Sequence, residues 1–330
     1  MSARGPVMVV GSINADFVIS VPRIPQQGET VGDGEFAQHW GGKSANQAVV
    51  AARYGAAVAM VGAVGDDDLG SAAVVALEDE GIDVERVTLI PATATGIAVI
   101  MVDPGGRNII AVAPGANARI DPAGIDDAIA AHAGAVLTCF EVADPVVMAA
   151  VTAGIHHGAD VIVNPAPARP LPDQLQGSKA MLTPNEHEAR TITGLRDPVA
   201  AASRLSEWTQ APAIVTLGAH GAVMCSTVEQ PLRIAAPSVV PVDTTGAGDT
   251  FNGTLAAALA EGLDLPSCVQ RAVTAASLSV RGRGARGSLP SREDIDDFLR
   301  DHPGGLPETR HPFPEGRAPI NHAHAKPEGQ

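Results

Sequence analysis

Short apolar runs alternate with alanine-rich segments of helical period along most of this chain, and few architectures accommodate that order. Residues 58–64 precede a helical pattern at 69–79, residues 135–138 precede one at 145–156, and further extended runs follow at 161–163 and 213–217. Strands buried on both faces read as continuous apolar runs, and each return to a parallel neighbour needs a crossover, usually a helix. The alternation therefore predicts an α/β fold with a mostly parallel central sheet covered by helices on both faces, three α/β/α layers in all. With 330 residues and 45% apolar content the chain can bury a large core, and a single domain over 1–301 is expected.

Two stretches depart from this pattern. Residues 95–102 and 108–113 flank Asp103, Pro104, Gly105 and Gly106, a turn signal that predicts a hairpin. Residues 302–330 are rich in Pro, Gly and His with few aliphatics, so they cannot repay the entropy of ordering, and a disordered tail is expected. His322 and His324 in that tail read as solvated. His156 and His157 have no ligand cluster beside them in sequence and read as helix-end residues.

The formal charge of -15 argues against nonspecific nucleic-acid binding, which needs a basic surface. An anionic ligand must then be met by local features: a helix terminus, a metal ion or a few cations. Cys139, Cys225 and Cys268 are widely spaced and form no Cys-x-x-Cys pair, which suits a reducing compartment. No segment reads as a membrane span or a signal peptide, so a cytoplasmic location is expected.

The run Asp243, Thr244, Thr245, Gly246, Ala247, Gly248, Asp249, Thr250, Phe251, Asn252, Gly253 joins a small-residue loop to a carboxylate at a helix start. A β-branched run ends upstream at Pro241 and Val242, and an Ala- and Leu-rich pattern covers 255–263, so an extended segment is expected to enter the loop and a helix to leave it. Gly246 and Gly248, with Ala247 between them, let a phosphate approach the first-turn N–H groups, where the helix dipole favours negative charge. Asp249 then sits where a carboxylate can take the proton of a hydroxyl attacking that phosphate. An aspartate capping a helix after a glycine turn explains the same residues, and the segment alone does not choose.

Residues 7–10 form an apolar run ending in Gly11, Ser12, Ile13, Asn14, Ala15 and Asp16, a buried strand that delivers polar groups at its carboxyl end. Asn14 and Asp16, two apart, project to the same side of an extended chain, where amide and carboxylate can grip neighbouring sugar hydroxyls. Either residue alone is equally an Asx turn. A second polar cluster, Gly41, Gly42, Lys43, Ser44, Ala45, Asn46 and Gln47, precedes a helical pattern at 48–54. It is not a P-loop, because the glycine required five residues before Gly42 is Ala37 and no strand pattern leads into the loop. Lys43 and Asn46 are placed near the substrate from a helix N-terminus, with a solvated lysine the plain alternative at 43.

Together with 95–117, 164–169 (Asn-Pro-Ala-Pro-Ala-Arg), 183–188 and 216–221, these motifs run in order from about 7 to 299. The chain in this respect resembles the ribokinase (PfkB) family of sugar and nucleoside kinases. The resemblance implies a β-sheet lid built from about 13–40 and 95–113, which in the family also clasps a second subunit, and hence a homodimer. It implies ATP-dependent phosphorylation of a sugar, with D-ribose and its 5-hydroxyl favoured. By the same resemblance Asn14, Asp16, Gly42, Lys43, Asn46 and Glu141 hold the sugar, with Ser44 an added contact, and Asp249 is the base beside the anion hole of Gly246, Ala247 and Gly248. Asn185, Thr216, Leu217, Gly218, Ala219, His220, Gly221 and Val273 meet ATP. Asn185 and Glu188 form the Asn-x-x-Glu element that serves magnesium, Glu188 through water. Asp243, Thr245, Ser279, Gly282, Gly284 and Ser288 hold an activating potassium ion. Ser44 and Val273 depart from residues common in the family, which affects the fine sugar geometry and the nucleobase contacts respectively.

Other readings remain open in the sequence. A nucleoside kinase of the same family is opposed by the 3% aromatic content, which offers few platforms for a base, although Phe17, Phe36, His39 and Trp40 lie near the lid. A phosphorylated sugar is disfavoured because Lys43 is the only cation among the matched sugar positions. A non-catalytic sugar-sensing regulator is opposed by the intact Asp249, Asn185 and Glu188. A dinucleotide oxidoreductase is weak, since Phe251 follows Gly246-x-Gly248 where that fingerprint needs a small residue.

Overall fold

The structure, a computed structural model, describes residues 5–130, 133–302 and 309–310. The chain opens with β1 (Val7–Val10), then β2 (Asn14–Ser20), β3 (Glu35–Gly41) and α1 (Lys43–Tyr54). β4 (Val58–Gly65), α2 (Asp68–Glu78), β5 (Asp83–Ile90), β6 (Gly96–Val102) and β7 (Asn108–Ala113) follow. The middle holds α3 (Ile125–Ile129), β8 (Ala135–Cys139), α4 (Asp144–His156), β9 (Asp160–Asn164), β10 (Met181–Leu182), α5 (Glu186–Thr193) and α6 (Pro198–Thr209). The last third is β11 (Ala213–Thr216), β12 (Ala222–Cys225), β13 (Leu232–Ile234), α7 (Ala247–Ala260), α8 (Leu265–Ser279), α9 (Arg292–Asp301) and β14 (Thr309–Arg310).

The large sheet runs β14-β13-β12-β11-β10-β9-β8-β1-β4-β5. Pairing is parallel from β5 through β11 and antiparallel from β11 outward to β14. The pleat of β1 shows why both faces are covered. Val7 and Val9 point into a core with Val49 of α1, Leu255 of α7 and Val269 of α8, while Met8 and Val10 point into a second core with Ile125 of α3 and Val146 of α4. Each large apolar side chain buried this way contributes roughly 1.5–3 kcal/mol before entropy is charged. The expected three layers are present.

A second sheet, ordered β3-β2-β6-β7, stands apart from the first. The expected hairpin is β6 and β7, paired antiparallel around Asp103, whose carboxylate accepts from the N–H groups of Gly105 and Arg107. Its outer strands, β3 and β7, pair with no further strand among the described residues, and Phe36, Ile109, Ile110 and Val112 are more than half exposed.

The β-branched run that enters the 243–253 loop carries no ladder, and Val240 and Val242 are exposed; Pro237 and Pro241 remove two donors that a paired strand there would need. One expectation changes. Within the expected tail, Thr309–Arg310 pairs with β13, extending the sheet edge. The tail histidines His322 and His324 lie outside the described residues. His156 and His157 close α4, as expected, and Asp126 of α3 lies beside them, its Oδ1 3.8 Å from His156 Nδ1 and 3.3 Å from His157 Nε2. The three cysteines are buried and unpaired.

Candidate active site

The carboxyl ends of β1 and β8 and the amino ends of α1 and α7 converge, as open α/β sheets arrange their ligand sites. At the head of α7, Gly246 holds the left-handed conformation at φ 78, and a side chain there would lie 2.7 Å from Ala285 Cα. Glycine is required twice over, by backbone conformation and by the close passage of the 281–290 loop. The N–H groups of Gly248 and Asp249 have no acceptor among the described residues, and Gly248 faces open space. This is the donor pair that an anion needs at a helix start.

Asp249, in the first turn of α7, is only 7% exposed. Gln47 Nε2 donates to its Oδ1 at 3.0 Å and Asn46 Nδ2 to its Oδ2 at 3.4 Å. Burial pushes its carboxyl above the ordinary range, opposed by the Lys43 ammonium and the Gln47 and Asn46 donors. Lys43, at the first position of α1, is in turn held up at about 12, chiefly by Asp249 and against burial. The amide of Gln47 also donates to Asn164 Oδ1 at 3.1 Å, and Asn164 Nδ2 donates to the Thr183 carbonyl at 3.1 Å. The base candidate is thereby fixed from behind by β9 and the segment after β10.

Asn14 and Asp16 lie on β2 on one face, as their spacing implies. Asn14 Oδ1 accepts from Asn117 Nδ2 at 2.7 Å, and Asn117 also binds both backbone groups of Ile13, so the Asn14 amide is turned with its N–H groups without an acceptor among the described residues. The Asp16 carboxylate packs over Gly41, where any side chain would collide with it at 2.0 Å. Its carboxyl is pushed up to about 6, mainly by burial and then by Glu141, with Arg286 opposing. Glu141, just past β8, accepts at Oε2 from Ser12 Oγ at 2.6 Å and from the Lys43 N–H at 2.9 Å, which anchors it at the α1 amino end. Gly42 holds φ 88 against the Ser12 carbonyl, so the turn from β3 into α1 also requires glycine.

Ser44 is a correction. It is fully buried beneath Gly11, with its Oγ 3.2 Å from Cys139 Sγ, and no sugar can reach it. Val273 is another. At 3% exposure it packs in the core under α8 rather than lining a nucleobase site.

The segments expected to meet ATP are adjacent. Asn185 bridges Thr216, and the Thr216 N–H donates to the Pro184 carbonyl at 3.0 Å. Beyond them Leu217 is buried, Gly218, Ala219 and His220 are exposed, and Gly221 at φ 89 passes the Ile234 carbonyl too closely for any side chain. Asn185 and Glu188 form a capping box at the head of α5, each side chain accepting from the other's N–H at 2.8 Å. That engages Glu188 Oε2 and leaves Oε1 without a hydrogen bond among the described residues, while burial pushes the carboxyl upward. A partly buried carboxylate with one free oxygen suits a hydrated divalent ion.

Asp243 ties two loops, accepting from the Thr245 N–H at 2.9 Å and the Gly284 N–H at 2.8 Å. Burial works against its ionisation, yet these N–H groups hold its carboxyl below the ordinary range. Gly282 lies against Ser288, and the Val242 and Asp243 N–H groups reach the Val280 carbonyl, so of the residues expected to hold the cation Thr245 and Gly284 are the two that contact Asp243, while Ser279, Gly282 and Ser288 lie along the segment from the end of α8 into the same loop.

Four residues in this assembly went unassigned in the sequence: Gln47, Asn117, Asn164 and Arg286. Arg286, bonded to Asn46, brings a second cation to the site, held down at about 10 chiefly by burial. That removes the argument that Lys43 stands alone in the site.

Comparison with known proteins gives the family. Residues 5–292 match the pfkB family of carbohydrate kinases. A ribokinase of Haemophilus influenzae is 36% identical over 303 residues, spanning 90% of this chain and 99% of the relative. A deoxyribokinase of Salmonella typhi is 35% identical over 301 residues, spanning 89% of this chain and 98% of the relative. The Arabidopsis thaliana ribokinase, solved with ribose and ATP, superposes with a TM-score of 0.83 at 32% identity over 90% of this chain and 99% of that one. No helix among the described residues is long and apolar enough to cross a membrane. From the first strand to the start of α9, this chain belongs to the pfkB family of carbohydrate kinases.

Proposed function

We propose that the chain transfers the γ-phosphoryl group of ATP to the 5-hydroxyl of D-ribose, giving D-ribose 5-phosphate and ADP. The observation that carries this reading is Asp249, a buried carboxylate one residue from an open glycine and beside two unpartnered N–H groups. A hydroxyl and a phosphate brought there meet a proton acceptor and an anion hole in one place.

Asn14, Asp16, Gly42, Lys43, Asn46 and Glu141 hold the sugar, with Asp16 and the Asn14 amide on its hydroxyls. Asp249 accepts the hydroxyl proton late in a loose transition state, while the Gly246, Ala247 and Gly248 backbone steadies charge on the transferred group. Asn185 and the Thr216, Leu217, Gly218, Ala219, His220 and Gly221 strip receive ATP, Leu217 through its backbone alone. Magnesium bound with the triphosphate neutralises phosphoryl charge, and Glu188 holds its water. Asp243 and the 279–288 segment would hold a potassium ion, whose charge would order the loop at the head of α7. One catalytic domain spans 1–301, and the small sheet closes over the sugar and excludes water. Its open edges and its exposed Phe36, Ile109, Ile110 and Val112 support a homodimer through that sheet. The buried free thiols suit the cytoplasm.

A 2-deoxyribose kinase is the second reading, favoured by the 35% identity to a deoxyribokinase. ADP release measured with ribose, 2-deoxyribose, hexoses and nucleosides tests both. The ribose reading requires the highest specificity constant with ribose, and a higher value with any other acceptor overturns it.

A further inference from the structure

Arg286 stands in the loop that presses on Gly246, remote from every sugar-binding position in sequence. It is tethered at both ends of α1. Arg53 in the last turn of α1 donates from Nη1 to the Arg286 carbonyl at 2.9 Å, and Arg53 is itself clamped to Glu80 by bonds of 2.8 and 2.6 Å. Asn46 in the first turn accepts at Oδ1 from Arg286 Nε at 2.9 Å. A guanidinium only donates and an ionised carboxylate only accepts, so an amide between Arg286 and Asp249 has one orientation open to it. Its oxygen faces the arginine and its N–H groups face the base. The guanidinium also acts electrostatically on both Asp16 and Asp249.

We propose that Arg286 is a positioning residue for the sugar, which locks the Asn46 amide toward Asp249 and supplies the positive charge that faces Asp16. The inference rests on the sugar-kinase reading of this site. Its consequence is a physical link between the loop gathered around Asp243 and the pocket for the sugar, running through one side chain. A substitution that keeps the loop but removes the guanidinium breaks that link.

The groups facing Asp16 set what a test can read. Glu141 past β8 and Asp249 on α7 add negative charge, each itself facing Lys43 of α1; Arg286 opposes them, and His39 of β3 pairs with Asp16 across the ladder. Removing Arg286 leaves Asp16 among like charges.

The test uses the full chain carrying Arg286→Met and, separately, Arg286→Lys, with melting curves to establish folding. NMR of carboxyl-labelled aspartate, assigned with Asp16→Asn, follows the Asp16 titration in the sugar-free protein. Steady-state assays then give the KM for sugar and for ATP. In Arg286→Met the expected results are an Asp16 titration moved to higher pH, a sugar KM raised by tenfold or more and an ATP KM within twofold of the parent. Arg286→Lys is expected to restore the titration and not the KM, since an ammonium keeps the charge without the guanidinium geometry. An unmoved titration, or an unchanged sugar KM in Arg286→Met, overturns the proposal. If Arg286→Met does not fold, Arg286→Lys with the parent KM overturns it. The titration needs no sugar, so failure of the unmutated protein to phosphorylate ribose would sink the ribose reading alone.

Discussion

Gln47 on α1 and Asp249 on α7 are joined by a hydrogen bond of 3.0 Å, and the same Gln47 amide nitrogen reaches Asn164 on β9 at 3.1 Å. One side chain thus ties the candidate base to the two helices and to the sheet beneath them. Gln47→Leu keeps the volume and removes both bonds. Burial then acts on Asp249 with one less opposing donor, so its carboxyl rises further and the acid limb of kcat/KM moves to higher pH. Activity at neutral pH is expected to fall about tenfold, the scale of a hydrogen bond to a charged group. A pH profile identical to the parent's would contradict the coupling.

Asp249→Asn preserves shape and removes the proton acceptor. Binding of sugar and ATP is expected to persist, with turnover lower by roughly 100-fold or more. Calorimetric titration and single-turnover assays check this, and near-normal turnover would assign the base elsewhere.

Asp16 trades stability for binding. Its folded-state carboxyl is pushed up to about 6 from 3.8, so the folded chain holds that proton more tightly than the unfolded chain does. Stability from this group is therefore greatest below the unfolded value and is lost as pH rises through about 4 to 6. Asp16→Asn is expected to melt higher than the parent by about 2 °C at neutral pH, with the gap closing toward pH 4. Its sugar KM rises sharply while its ATP KM stays put, because a site built for a hydroxyl loses its selectivity with the acceptor. Differential scanning across pH, paired with steady-state kinetics, reads both effects. Equal melting temperatures at neutral pH would contradict the burial argument.

Much of this arrangement was legible because the signals are local. The start of α7 at Gly246 and Asp249 and the hairpin around Asp103 follow from glycine conformation, short-range hydrogen bonds and helical period. The residues that were missed act over long separations. Arg286 meets Asn46 across 240 positions, and Asn117 meets Asn14 across 103, and no sequence spacing encodes such pairings. Ser44 was misplaced for a related reason. Its neighbours Lys43 and Asn46 look toward the site, but its own position on α1 points under Gly11 into Cys139. Motif membership does not report which way each residue of a helix faces.

Potassium is expected to activate through the loops tied by Asp243. Ordering those loops in advance spares reorganisation around the N–H groups of α7. Activity should rank potassium above sodium and sodium above a bulky organic cation, and Asp243→Ala should flatten that ranking. Equal rates of the parent in all three salts would remove the cation from the account.

Proton-coupled phosphorus NMR of purified protein with D-ribose and Mg-ATP reads directly whether phosphate reaches the 5-hydroxyl and whether Asp249 is needed. The account predicts a single sugar phosphate split by the two protons on carbon 5, accumulating with ADP, and no detectable product over the same interval with Asp249→Asn. Phosphate on the anomeric carbon, ATP hydrolysis without a sugar phosphate, or equal product from the Asp249→Asn protein would contradict it.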